Sequence, residues 1–128
     1  MGVRTIVYSV LNDIYFKKSY SNIALNQAIL ANPMSEQDKG LLTRIVYGVL
    51  QNSILLEYIM QQYTGDKKVD LEMKTILKMA LYQLFFMDKI PSYAIINEAV
   101  ELAKHFGSDE SGRFVNGILG SLVRGLPE

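Results

Sequence analysis

Apolar residues recur at three- and four-residue steps through almost the whole chain, and this spacing constrains the fold more than any other feature. In the first segment Val3, Val7, Val10 and Ile14 fall on one side of a helix with 3.6 residues per turn. All three prolines lie at boundaries between such segments, and no stretch alternates apolar and polar residues between hairpin turns. The sequence therefore predicts an all-α fold of about seven helices.

Residues that start and stop helices divide the chain into these segments. The second helix has Ile23, Leu25, Ala28 and Ile29 available for burial. It ends at Asn32-Pro33, because the residue before a proline avoids the helical region. Ser35 can cap the third helix, and Pro91 begins the sixth, where its missing amide costs nothing. Lys67 and Lys68 are predicted to lie in a polar connection. The run Gly107–Gly112 is predicted to be a loop, followed by a seventh helix in which Phe114 or Val115 faces the core and which ends near Arg124.

The fifth segment, about Leu71–Met87, is apolar on nearly all sides and is expected to form a buried central helix. Lys78 and Gln83 interrupt it, and it is too short to cross a bilayer. Asn12 and Asp13 likewise break the N-terminal apolar stretch before it resembles a signal peptide. We expect a cytoplasmic protein with no membrane partner.

The residue types that usually carry catalysis are poorly represented. The chain has no cysteine, which excludes disulfides, thiolate nucleophiles and cysteine metal sites. His105 has no second histidine or cysteine in reach, so metal binding is not expected. The sequence also lacks a glycine-rich phosphate loop, a nucleophile elbow and a His-Glu-x-x-His pair. We predict no catalytic residues, no metal and no cofactor in this chain.

The charge balance limits how the chain could bind nucleic acid. Thirteen basic and thirteen acidic side chains cancel, whereas nucleic-acid binders usually carry a positive excess. A local patch would have to supply the affinity. In the seventh helix Arg113, Gly117, Gly120 and Arg124 share one stripe, and each glycine costs about 1 kcal/mol relative to alanine. Either a neighbouring helix or a nucleic-acid strand between the arginines could approach the backbone there.

Other cations extend this candidate set, each with a simpler structural explanation. Lys17 and Lys18 end the first helix, where they also suit its negative end. Lys104 lies on the outer face of the sixth helix, where it can pair with Glu101. The candidate residues for binding nucleic acid are Arg4, Lys17, Lys18, Lys104, Arg113 and Arg124.

The eight tyrosines could stack on unpaired bases. Tyr20 and Tyr93, near helix starts, are expected to be exposed. Tyr47, Tyr58 and Tyr82 lie within apolar stripes and are expected in the core.

Five segments, taken in order and spacing, resemble the NusB family of all-helical RNA-binding domains. They are Asp38–Leu50, Ile76–Leu84, Asp88–Pro91, Pro91–Lys104 and Arg113–Leu119. The resemblance covers nearly the whole chain and implies two packed helical bundles around the buried central helix. We expect one RNA-binding domain over residues 1–128, with an N-terminal subdomain (1–52) and a C-terminal subdomain (53–128).

The family contains standalone transcription antitermination factors and the N-terminal domains of RsmB- or Sun-type ribosomal RNA cytosine-C5 methyltransferases. Ser19–Asn22, Ile45–Gly48 and Arg124–Pro127 look like the methyltransferase domains, and only Arg4 stands where antiterminators tend to be arginine-rich. Phe114–Gly117 fits the antiterminators equally well. We favour an N-terminal methyltransferase domain that helps position small-subunit ribosomal RNA without catalysing methyl transfer.

That interpretation implies a separate catalytic domain, which would hold the S-adenosylmethionine site and the cysteine nucleophile and could itself be a partner. One alternative is a standalone antitermination factor that binds single-stranded RNA together with a ribosomal protein. Another is a helical protein-interaction module without RNA contact, which the zero net charge favours.

Overall fold

The computed structural model describes residues 2–126, which form seven α-helices and no strand. The helices are α1 (Val3–Lys17), α2 (Ser21–Ala31), α3 (Glu36–Gln51), α4 (Ser53–Thr64), α5 (Leu71–Phe86), α6 (Ser92–Phe106) and α7 (Asp109–Arg124). The predicted all-α class and helix number are confirmed. None of the helices in this part of the chain is long and apolar enough to span a membrane.

The predicted loop Gly107–Gly112 is wrong, because α7 already begins at Asp109. Ser108 is its N-cap, and the Ser108 side-chain oxygen accepts a hydrogen bond from the Ser111 amide at 3.1 Å. The acids at Asp109 and Glu110 then face the positive end of the helix dipole. A composition typical of a loop therefore forms a capped first turn.

The contacts divide the chain into two compact units, residues 1–51 and 52–128. In the first unit α1 packs against α2 and α3, and α2 also touches α3. The buried side chains of α2 are Ala24 and Leu25, whereas Ile23 is 48% exposed and Leu30 is 87% exposed. The prediction that Ile23 is buried is wrong, because the buried face of α2 is rotated towards the two following residues.

In the second unit α5 packs against α4, α6 and α7, so it is the central helix of that unit. Its buried residues are Met73, Thr75, Ile76, Leu77, Met79, Ala80, Leu81, Tyr82 and Gln83. The predicted burial fails towards both ends of the helix, where Leu71 is 38% exposed and Phe85 is 42% exposed. The neighbouring helices cover the middle of α5 and leave its last turn open to solvent.

Ion pairs link α4 to α5 on the surface of the second unit. The Glu57 carboxylate lies 3.7 Å from the Lys74 ammonium and 3.2 Å from that of Lys78. The Lys78 side chain is largely buried, and the other two are about one-third exposed. These contacts hold the ammonium of Lys74 near α4, while about one-third of the Lys74 side chain stays accessible to solvent.

Candidate nucleic-acid interface

Helix α7 separates an apolar face from a polar one. Val115, Leu119 and Leu122 are buried on the side that faces α6 and α5. Phe114, for which burial was also considered, is only half-buried. The opposite side exposes Arg113, Asn116, Gly117, Ser121 and Arg124. This exposed set, together with Gly120, is called the α7 polar face below.

The two glycines of this face are not explained by a neighbouring helix. A methyl group at Gly117 would meet no heavy atom within 4 Å. A methyl group at Gly120 would meet only the guanidinium of Arg124, 3.2 Å away at its nearest atom. The backbone of α7 is therefore open at Gly117, as the nucleic-acid interpretation requires.

Because nothing occupies the space beside Gly117, Gly117→Ala is expected to raise the free energy of unfolding by about 1 kcal/mol, the helix-propensity difference. Gly107→Ala is the matched contrast, since its methyl group would lie 2.8 Å from the Ala103 carbonyl oxygen and 2.5 Å from the Ser111 hydroxyl oxygen. Urea unfolding followed by circular dichroism should show a gain for the first and a loss for the second. A loss at Gly117 would mean that the fold itself needs this glycine.

Arg113 and Arg124 are both exposed and stand near the two ends of α7. They are eleven positions apart, which corresponds to about 16 Å along the helix axis. The Arg124 guanidinium donates a hydrogen bond to the Ser121 hydroxyl at 3.2 Å. The arginines could thus contact phosphates at two points on one strand.

Lys104 joins this group from α6. Its aliphatic stem packs across Gly112, where a methyl group would lie 2.7 Å from the Lys104 Cγ. This places Lys104 beside the Arg113 end of α7. Its ammonium lies 3.9 Å from Glu101 on an exposed face, a pair worth at most about 1 kcal/mol. Three of the six predicted RNA-binding residues therefore lie on neighbouring helices of the second unit, with Lys104 beside Arg113 and Arg124 about 16 Å further along α7.

The other three belong to the first unit and lie at opposite ends of α1. Arg4 is in the first turn, whereas Lys17 and Lys18 are at the C-terminal end, about 20 Å away along the axis. Lys17 pairs with Asp13 at 3.3 Å, and Lys18 adopts a left-handed conformation with φ of 56°. These cations do not form one cluster.

A cleft between the N-termini of α5 and α7 contains side chains that the sequence analysis did not select. Its volume is about 230 Å³. It is lined by Lys68, Val69, Asp70, Met73, Ser108, Glu110, Ser111 and Phe114. The sequence placed the lysines in a polar connection and considered Phe114 for the core. Only the packing of α7 beside α5 shows that they meet.

The tyrosine predictions are confirmed in part. Tyr20 and Tyr93 are exposed and Tyr82 is buried, as expected, but Tyr58 is 62% exposed because α4 buries Leu56 and Met60 instead. Within residues 2–126 no group of three or more histidine or acidic side chains is placed to hold a metal ion.

The sequence pattern of the NusB family matches residues 1–124. The chain belongs to the NusB family. Membership agrees with the order of segments quoted above and with the seven-helix architecture of this NusB domain.

Relatives of this NusB domain fall into two groups. It is 41% identical over 128 residues to a probable ribosomal RNA small subunit methyltransferase B of Bacillus subtilis, which covers 98% of this chain and 29% of the relative. It is 40% identical over 105 residues to the transcription antitermination protein NusB of Chloroflexus aggregans, covering 77% of this chain and 69% of the relative. The domain thus spans less than a third of the methyltransferase relative and most of the antitermination protein.

Solved structures agree on the fold. NusB of T. maritima superimposes with a TM-score of 0.87 at 25% identity, over 96% of this chain and 89% of that one. A structure of the antitermination factors NusB and NusE in complex with double-stranded RNA gives a TM-score of 0.87 at 14% identity, over 97% of this chain and 95% of that one. At 14% identity the likeness concerns the fold alone.

Proposed function

We propose that this NusB domain binds RNA and that the α7 polar face is a main contact surface. The observation that carries the proposal is the open backbone at Gly117, flanked along the helix by Arg113 and Arg124. A solved NusB-family complex contains RNA, which supports the ligand class. We propose further that residues 1–128 act as one RNA-binding domain.

The chemistry of this face suits a phosphate backbone. Guanidinium groups form two parallel hydrogen bonds to phosphate oxygens, and Asn116 and Ser121 add neutral donors between them. The chain as a whole has no net charge, so long-range attraction is weak and binding depends on these local contacts. No catalytic residue is proposed, and the domain alone should transfer no methyl group to RNA.

RNA affinity should fall with salt, because each phosphate contact releases a bound counterion. If three cations engage single-stranded RNA, log K should fall with log salt with a slope of about −2, at about 0.7 per contact. Fluorescence anisotropy with a labelled single-stranded RNA of about 12 nucleotides, between about 50 and 200 mM salt, measures this slope. If no binding occurs even at the lowest salt, the protein-interaction alternative replaces this proposal.

For the cellular role, a transcription antitermination factor that binds RNA beside a ribosomal protein is the first candidate. Its support is that antitermination relatives align over most of their own length, for example 85% of the protein from Bacillus velezensis. The second candidate is the N-terminal domain of a small-subunit ribosomal RNA methyltransferase, supported by the 41% identity across 98% of this chain. In the second role a separate catalytic domain would bind S-adenosylmethionine.

The length of the reading frame separates these two roles. A stop codon directly after Glu128 favours the antitermination factor, and several hundred further codons favour the methyltransferase. RNA binding by this domain is expected in both cases, so the salt titration does not depend on the answer.

A further inference from the structure

We propose that the cleft between the N-termini of α5 and α7 binds one unstacked RNA base, preferably guanine, while the adjoining lysines contact its phosphates. This inference rests on the proposed RNA binding and adds a base-recognising site to the α7 polar face. Every residue involved belongs to the second compact unit.

The volume of the cleft suits a single small group. Its volume of about 230 Å³ is below the roughly 300 Å³ at which pockets for drug-sized ligands begin. Its walls come from the first turn of α5, the first two turns of α7 and the segment that precedes α5. Asp70 and Ser108 cap these two helices, so the backbone on both sides of the cleft is well anchored.

Phe114 supplies an aromatic surface in this cleft. It is half-buried, which holds the ring in place while leaving part of it in contact with the cleft. The Lys67 ammonium lies 5.9 Å from the centre of the ring, at the outer limit of a cation–π contact. A base stacked on the ring would displace this weak contact and release Lys67 to a phosphate. Stacking of a base on an aromatic side chain strengthens binding by roughly tenfold or more.

Glu110 provides a group that can read the edge of the base. It lies four residues before Phe114, so both side chains project from the same side of α7 into the cleft. One oxygen of Asp70 already accepts a hydrogen bond from the Met73 amide, at 2.9 Å, which leaves Glu110 as the more available carboxylate. An ionised carboxylate accepts hydrogen bonds and donates none. Guanine offers two adjacent N–H donors on its pairing edge, whereas uracil offers one donor between two carbonyl oxygens.

A basic trough adjoins the cleft and shares part of its wall. It is lined by Lys67, Lys68, Val69, Asp70 and Lys74, and Lys68, Val69 and Asp70 also line the cleft. Lys67 and Lys68 are exposed, and Lys74 is accessible beside Glu57. The carboxylates and the aromatic ring of the cleft suit the base of a nucleotide. The ammonium groups of the trough suit its phosphates. An anion without a base, placed in the cleft itself, would be repelled by Glu110 and Asp70.

The experiment compares two single-stranded RNAs of about 12 nucleotides, one of uridines only and one with a single central guanosine. The full chain should bind the guanosine RNA about tenfold more tightly, which corresponds to about 1.4 kcal/mol. Glu110→Gln should abolish this preference, because an amide cannot accept from both donors. Phe114→Leu should weaken binding of the guanosine RNA about tenfold.

Matched controls keep the outcome interpretable. Phe85→Leu removes an exposed ring of α5 outside the cleft, and Glu98→Gln removes an exposed carboxylate of α6. Both should leave the guanosine preference unchanged. Glu110 is exposed, so its variant is expected to fold even if Phe114→Leu loses stability.

If the wild-type chain binds both RNAs equally and Glu110→Gln changes nothing, the base site is overturned while RNA binding stands. If the wild-type chain binds neither RNA at low salt, the proposed function fails and the base site fails with it.

Discussion

Leu77→Ala is expected to lower the free energy of unfolding by about 2–5 kcal/mol, the range for a buried leucine that leaves a cavity. Leu77 is fully buried at the middle of α5, the helix that α4, α6 and α7 surround in the second unit. Domains of this kind are usually stable by only about 5–15 kcal/mol. The substitution should therefore remove a large fraction of the stability, which urea unfolding followed by circular dichroism would measure.

Leu71→Ala is the control for this prediction. Leu71 lies on the same helix and loses the same atoms, but it is 38% exposed at the first turn. Its loss should be about 1 kcal/mol or less, because less apolar area is removed from contact. Equal losses at the two positions would contradict the central role of α5.

The double variant Arg113→Ala/Arg124→Ala is expected to weaken RNA binding by about 100-fold. Each lost guanidinium removes charge-assisted hydrogen bonds, which contribute about 1.5–3 kcal/mol when formed, and tenfold in affinity corresponds to about 1.4 kcal/mol. The slope of log K against log salt should also become shallower by about 0.7 for each lost phosphate contact. Anisotropy titration at several salt concentrations measures both quantities.

Arg44→Ala serves as the matched control, since it removes an exposed arginine from α3 in the first unit. It should change RNA affinity much less than the double variant. Circular dichroism should show that both proteins keep their helices, because the substituted side chains are exposed. Wild-type affinity in the double variant would place the RNA surface elsewhere on the domain.

The sequence was sufficient to predict the helices, but not to predict which side of each helix is buried. Periodicity and the residues at helix ends located all seven segments, since proline at 33 and 91 and the serine at 35 act through local backbone chemistry. Ile23, Tyr58 and Phe85 were expected in the core and are exposed, because burial depends on how far neighbouring helices extend over each turn. The Gly107–Gly112 run was misread because composition alone does not distinguish a loop from a capped first turn.

The candidate site was predictable to a smaller extent. Helical spacing alone placed Arg113, Gly117, Gly120 and Arg124 on one stripe of α7, and the structure leaves that stripe open. The cleft at Phe114 could not be foreseen, because Phe114 follows Lys67 and Lys68 by more than 45 positions along the chain and only tertiary packing joins them. Two lysines in the segment between α4 and α5 give no local indication that residues of α7 pack opposite them.

The exposed side of α2 has a consequence for experiments in solution. This helix contains no ionisable side chain, yet it presents Leu30 and Ile23 to water. Self-association through such a neutral greasy surface would not be screened by salt and would strengthen in sulfate or phosphate buffers. Self-association and RNA binding should therefore respond to added salt in opposite directions. Light scattering recorded alongside each titration would distinguish the two.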